Sequence, residues 1–79
     1  MNATDGIEVV VADDEDDIRL LLKLQLRQFG ISVVGEATDG IEAVDVCEAT
    51  RPHVITLDLL MPNMNGFEAI PGLRRRCPD

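Results

Sequence analysis

Three carboxylates at two places carry most of the chemistry in this chain. Asp13 and Asp14 close the apolar run Ile7-Glu8-Val9-Val10-Val11-Ala12, and Asp58 closes Val54-Ile55-Thr56-Leu57. Two buried strands ending side by side would bring all three anions to one edge of a sheet. At ~5 Å apart and an effective dielectric near 20, each pair would repel by roughly 3 kcal/mol. A fold carries that repulsion when something positive lies between the charges, so the spacing points to a cation site. The plain alternative, solvated loop ends or helix caps, does not account for the pattern that surrounds them.

Alternating elements position these residues. Residues 7–12 form a nearly continuous β-branched run, suited to a strand buried on both faces of a parallel sheet. Asp14 to Asp17 supply capping and first-turn acids for a helix reaching about Phe29, which Gly30 stops. Its inward face is expected at Ile18, Leu21, Leu22, Leu26 and Phe29, with Leu20 and Leu24 as an outer stripe and Gln25 at an inward position. Ile31 to Glu36 reads as a second strand. Asp39-Gly40 opens a second helix, with Ile41, Val44 and Ala49 among its apolar positions, and Arg51-Pro52 ends it. His53 to Leu57 is the third strand, His53 being a partly exposed strand end. After the loop Pro62-Asn63-Met64-Asn65-Gly66, a helix runs from about Phe67 to Arg76. Pro71 should kink that helix or delay its regular part, because its ring removes the bond to the Phe67 carbonyl.

The order βαβαβα with short connections and right-handed crossovers predicts a parallel α/β sheet with helices on both faces. Ligands of such sheets sit at the carboxyl ends of strands, where the strand order reverses. Asp13, Asp14 and Asp58 all lie at carboxyl ends.

Composition narrows the function classes. Seventy-nine residues make one small domain with a thin stability margin. Without Trp or Tyr and with two Phe, the core must be aliphatic. A net charge of −8 argues against nucleic acid and anionic membrane surfaces as partners and favours cations. The basic cluster Arg74-Arg75-Arg76 ends the last helix, where it complements the dipole. Cys47 and Cys77 lack metal-ligand spacing, and Cys47 reads as a buried free thiol. The start of the chain lacks a basic, apolar signal stretch, and no apolar run is long enough to span a bilayer. A cytoplasmic location with reduced thiols is expected.

The acidic pair Asp13-Asp14, Asp39-Gly40, Arg51-Pro52, and Asp58 followed by Met61-Pro62-Asn63-Met64-Asn65-Gly66 occur in order and at the right spacing. Together they resemble the receiver domain of two-component response regulators, over residues 7–76. The resemblance implies a flavodoxin-like sheet with strand order 2-1-3. It also implies that Asp58 is the phosphoacceptor for a histidine kinase. Asp13, Asp14, Asp58 and the backbone carbonyl of Leu60 would then be ligands of Mg²⁺. The chemistry is consistent: a carboxylate attacks an anionic phosphoryl donor poorly unless a hard, partly hydrated cation neutralises the repulsion.

The family pattern continues through two further strands and helices, with a Ser or Thr ending strand four and a Lys ending strand five. Residues 1–79 therefore read as a partial receiver domain, strands one to three and helices one to three, with strands four and five and their helices absent. By that resemblance the module would signal through its own phosphorylation, and it is not expected to be an enzyme. Phosphoryl acceptance is expected to be impaired without the Ser/Thr and Lys. The rival reading is a self-associating fragment, paired through the open edge of strand three or by exchange of the last helix. A calcium loop over Asp13–Asp17 lacks the glycine required at its sixth position. A haloacid-dehalogenase-type hydrolase would want an aspartate where Leu60 stands.

Overall fold

The computed structural model describes residues 6–78. The reading of the first residues as free of a targeting signal lies mostly outside them. The elements are β1 (Glu8–Ala12), α1 (Asp16–Gln28), β2 (Ser32–Ala37), α2 (Gly40–Thr50), β3 (Val54–Leu57) and α3 (Gly66–Arg76). The sheet is parallel in the order β2-β1-β3, as expected. In β1, Val9 to Ala12 are at most 3% exposed, which is why this strand is apolar on both faces.

The main core lies on the α2–α3 side. Ala12, Ala37, Ala43 and Met61 form its buried cluster, with Ile55 and Leu57 packed against it. Within α2 the buried stripe is Gly40, Ala43, Val44 and Cys47, at helical spacing. Ile41 and Ala49 are exposed, so of the three positions expected to be apolar contacts only Val44 is buried. Ala43 packs with Ala12 and Ala37, so its small side chain lets the helix approach the sheet closely. Asp39 caps α2 by accepting from the Glu42 amide at 2.8 Å, and Arg51 closes it in the left-handed region (φ 51°).

Two sequence expectations for the helices need correction. No residue of α1 is buried: Leu22 and Leu26 are half-buried, whereas Ile18, Leu21 and Phe29 are 38–57% exposed, much like Leu20 and Leu24. The helix packs over β1 and β2, so the part of its apolar arc turned toward β3 meets no covering element among the described residues. Gln25 is likewise exposed. In α3 the helix is regular from Gly66 and passes through Pro71. Its start is set by a capping box: Asn65 Oδ1 accepts from the Glu68 amide at 2.9 Å, and Glu68 Oε1 accepts from the Asn65 amide at 3.1 Å. That nucleates the first turn ahead of the proline. Arg76 does more than complement the dipole, since it pairs with Asp45 at 3.2 Å and with Glu48, joining α3 to α2.

Candidate functional site

The sheet ladder carries the acidic residues into place. Beyond β1, the Asp13 amide donates to the Ala37 carbonyl at 3.0 Å, and beyond β3 the Asp58 amide donates to the Ala12 carbonyl at 3.0 Å. Each ladder thus extends one residue past its strands and sets an aspartate at the sheet edge. Asp13, Asp14 and Asp58 each offer a carboxylate oxygen, and these oxygens lie within 4.8 Å of one another. Asp13 and Asp58 are half-buried and Asp14 is exposed.

Local turns orient two of the three. Asp13 Oδ1 accepts from the Glu15 amide at 2.9 Å, and Asp58 Oδ1 accepts from the Leu60 amide at 3.0 Å. Both residues keep a second oxygen for a ligand. Among the described residues none of the three carboxylates is ion-paired with a Lys or Arg, so no protein cation bridges them. Asp13 and Asp58 border a cleft of about 380 Å³ that is also lined by Ile18, Leu22 and Thr56. A cluster of hard oxygen donors beside open space fits a small, partly hydrated divalent cation. Leu60 has a side chain pointing to solvent (82% exposed) and is tied to Asp58 through its amide.

The residues between Asp58 and α3 act through packing. Gly66 lies so close to the Asp58 main chain that a Cβ there would meet the Asp58 carbonyl oxygen at 2.5 Å and the Leu59 Cα at 2.9 Å. Gly40 is equally tight: its amide donates to the Met64 carbonyl at 2.6 Å, and a Cβ would meet that oxygen at 2.5 Å. Asn63 Nδ2 donates to Asp39 Oδ2 at 2.9 Å. The Glu42 amide and Asn63 together hold the Asp39 carboxyl below the usual carboxylate range. The two helix starts therefore interlock around the loop that follows Asp58.

His53 lies away from the acidic edge, at the other end of β3, and its Nδ1 accepts from the Glu8 amide at 3.0 Å. It fastens the starts of β3 and β1. Nearby, Cys47 and Cys77 line a cavity of about 350 Å³. Burial and the neighbouring Cys77 push the Cys47 thiol up to about 11, which suits a buried, unreactive thiol. Sequence reasoning missed Arg19. Its Nη1 donates to the Asp13 carbonyl at 2.8 Å, and its only sequence signal is the i,i+3 spacing to Asp16.

Comparison with known proteins agrees with this fold. The family model described as response regulator receiver domain matches residues 9–79. The chemotaxis protein CheY of Thermotoga maritima is 38% identical over 74 residues, which cover 94% of this chain and 62% of that protein. The response regulator domain of Thermotoga maritima CheB superposes with a TM-score of 0.86 at 42% identity, over 91% of this chain and 55% of that one. The receiver domain of sensor histidine kinase PA1611 from Pseudomonas aeruginosa PAO1, solved with a magnesium ion coordinated in its active site cleft, matches with a TM-score of 0.82. It is 28% identical, over 90% of this chain and 57% of that one. The chain thus spans 62% of that CheY and somewhat over half of those two solved chains, but only about a fifth of the protein-glutamate methylesterases that it also matches. It belongs to the response regulator receiver domain family.

Proposed function

We propose that this chain is a phosphoacceptor signalling module in which Asp58 takes a phosphoryl group from a histidine kinase. The observation that carries this reading is the set of three unpaired carboxylates, with ligand oxygens within 4.8 Å, at the adjoining ends of β1 and β3. Asp13, Asp14, Asp58 and the main-chain carbonyl of Leu60 would hold Mg²⁺. Bound there, the ion would offset the negative charge of the carboxylates and of the incoming phosphoryl oxygens. Asp58 acts as nucleophile: one of its oxygens forms a bond to phosphorus as the bond to the donor's leaving group breaks, giving an acyl phosphate. The Leu60 amide on Oδ1 holds the carboxylate in position.

The described residues provide little to neutralise the phosphoryl oxygens. Lys23, the chain's only lysine, is engaged by Glu36 at 3.0 Å. Removing preorganised donors of this kind typically costs ~10²-fold in rate. Phosphorylation by acetyl phosphate with Mg²⁺ is therefore expected to be slow, read as the mass of one added phosphoryl group. It should be absent from Asp58→Asn. Labelling that survives in Asp58→Asn would overturn the assignment of the nucleophile.

A second reading, self-association, draws on a specific observation. β3 pairs with β1 alone, so its outer edge is unpaired among the described residues, and Val54 upon it is 49% exposed. Such an edge can pair with that of a second copy. Sedimentation at micromolar concentration tests this: a monomer insensitive to Ile55→Pro rules it out, and a dimer lost in a still-folded Ile55→Pro supports it.

A further inference from the structure

Arg19 sits where helix electrostatics disfavour it. A cation in a first helical turn opposes the positive end of the dipole. The side chain is also only 13% exposed, so its charge is largely withdrawn from water. Three acceptors compensate. Nη1 donates to the Asp13 carbonyl oxygen at 2.8 Å, Nε donates to Glu36 Oε1 at 3.1 Å, and Nη2 pairs with Asp16. Lys23 holds the other Glu36 oxygen, Oε2, at 3.0 Å. Glu36 ties the guanidinium to β2, whereas the bond to the Asp13 carbonyl ties it to the acidic pair itself.

The Asp13 carbonyl belongs to the peptide group that joins Asp13 to Asp14. That group is planar, so fixing its oxygen fixes the plane from which both residues depart. We propose that Arg19 is a positioning residue for the cation site: its guanidinium grips the Asp13–Asp14 peptide and so sets the directions of both carboxylates. The planar fork suits this task, because it reaches Asp13, Asp16 and Glu36 at once with fixed relative directions. The inference rests on the cation-site reading above.

Charge and geometry predict opposite signs here. Arg19 places a positive charge beside a cation site, so on charge alone its removal tightens Mg²⁺ binding. If it positions the ligands, removal weakens binding. Calorimetric titration with Mg²⁺ at fixed ionic strength separates the two, with folding followed by far-UV circular dichroism. Arg19→Gln should raise the Kd about tenfold, the scale on which partners that orient metal ligands act. Arg19→Lys keeps the charge and loses the fork, and should raise the Kd by a smaller factor. If Arg19→Gln fails to fold, Arg19→Lys decides alone. Variants that bind Mg²⁺ as tightly as the wild type, or more tightly, overturn the positioning role and leave the cation site standing. A wild type that binds no Mg²⁺ removes both.

Discussion

On the α2–α3 face of the sheet, Ala12, Ala37, Ala43, Met61 and Ala69 are buried, and two helix starts interlock through Gly40 and Gly66. On the opposite face α1 buries no residue and is fastened to the ends of β1 and β2 largely by Arg19, Lys23 and Glu36. One face is held by close packing that admits no extra atom, the other by charged contacts at the rim of an open cleft. The acidic site lies on the seam, with Asp58 braced by the packed loop and Asp13 gripped from the charged side. Changes to the first face should therefore act on folding. Changes to the second should act on the site with little loss of stability.

The largest effect is expected at Gly66. An Ala there has no space against the main chain of Asp58 and Leu59, and the strain should cost about 3 kcal/mol, measured by urea unfolding. A milder cost would mean that the loop after Asp58 yields more readily than the packing implies. Met61 and Leu21 sharpen the contrast. Met61→Ala, at a site 6% exposed, should lose about 2–3 kcal/mol, whereas Leu21→Ala, at 57% exposed, should change stability by less than about 0.5 kcal/mol. Equal losses would show that α1 packs as tightly as the other face.

Thr56 tests the charged side from below. Its Oγ1 is buried without a hydrogen-bond partner, while the residue borders the acidic cleft. Thr56→Val keeps the shape and removes the unsatisfied hydroxyl, so a gain of about 1 kcal/mol in the same unfolding measurement is expected. The smallest effect concerns acid. Lys23 foremost, and then Arg19, hold the Glu36 carboxyl below the usual carboxylate range. A carboxyl depressed on folding contributes fully above its unfolded range, and that contribution is lost as the pH falls through its folded value. Glu36→Gln should flatten the acid limb of the stability curve, modestly because Glu36 is 39% exposed. An acid limb unchanged in that variant would assign it to other carboxylates.

Much of this architecture was readable from residue order. The β-branched run before Asp13 and the apolar run before Asp58 signal buried strands, and strand ends are where a parallel sheet collects its ligands. Asp39-Gly40 was legible as a helix start, whereas Asn65-Gly66 read only as loop until the structure showed the cap at Asn65 and the close approach of Gly66 to Asp58. The inward face of α1 was not. Periodicity tells which side chains share a face, but Ile18 and Leu21 are covered only if an element lies beside them. Arg19 was hidden because its partner Glu36 is 17 residues away, and Arg76 because Glu48 is 28 away. Neither distance leaves a periodic trace. The Thr56 hydroxyl looked like an ordinary strand residue until its surroundings were known.

The central claim is that Asp13, Asp14 and Asp58 repel one another until a divalent cation joins them. Thermal melts of the wild type and Asp13→Asn, with and without Mg²⁺ at constant ionic strength, test it most directly. Asn keeps the Oδ1 that accepts from Glu15 and removes one charge. The account predicts that Mg²⁺ at about ten times its Kd adds ~1.4 kcal/mol to the wild type. It also predicts that Asp13→Asn is the more stable protein without Mg²⁺ and gains little from it. A wild type whose melting temperature is unmoved by millimolar Mg²⁺, beside a stabilised Asp13→Asn, would show repulsion without a site and contradict the account.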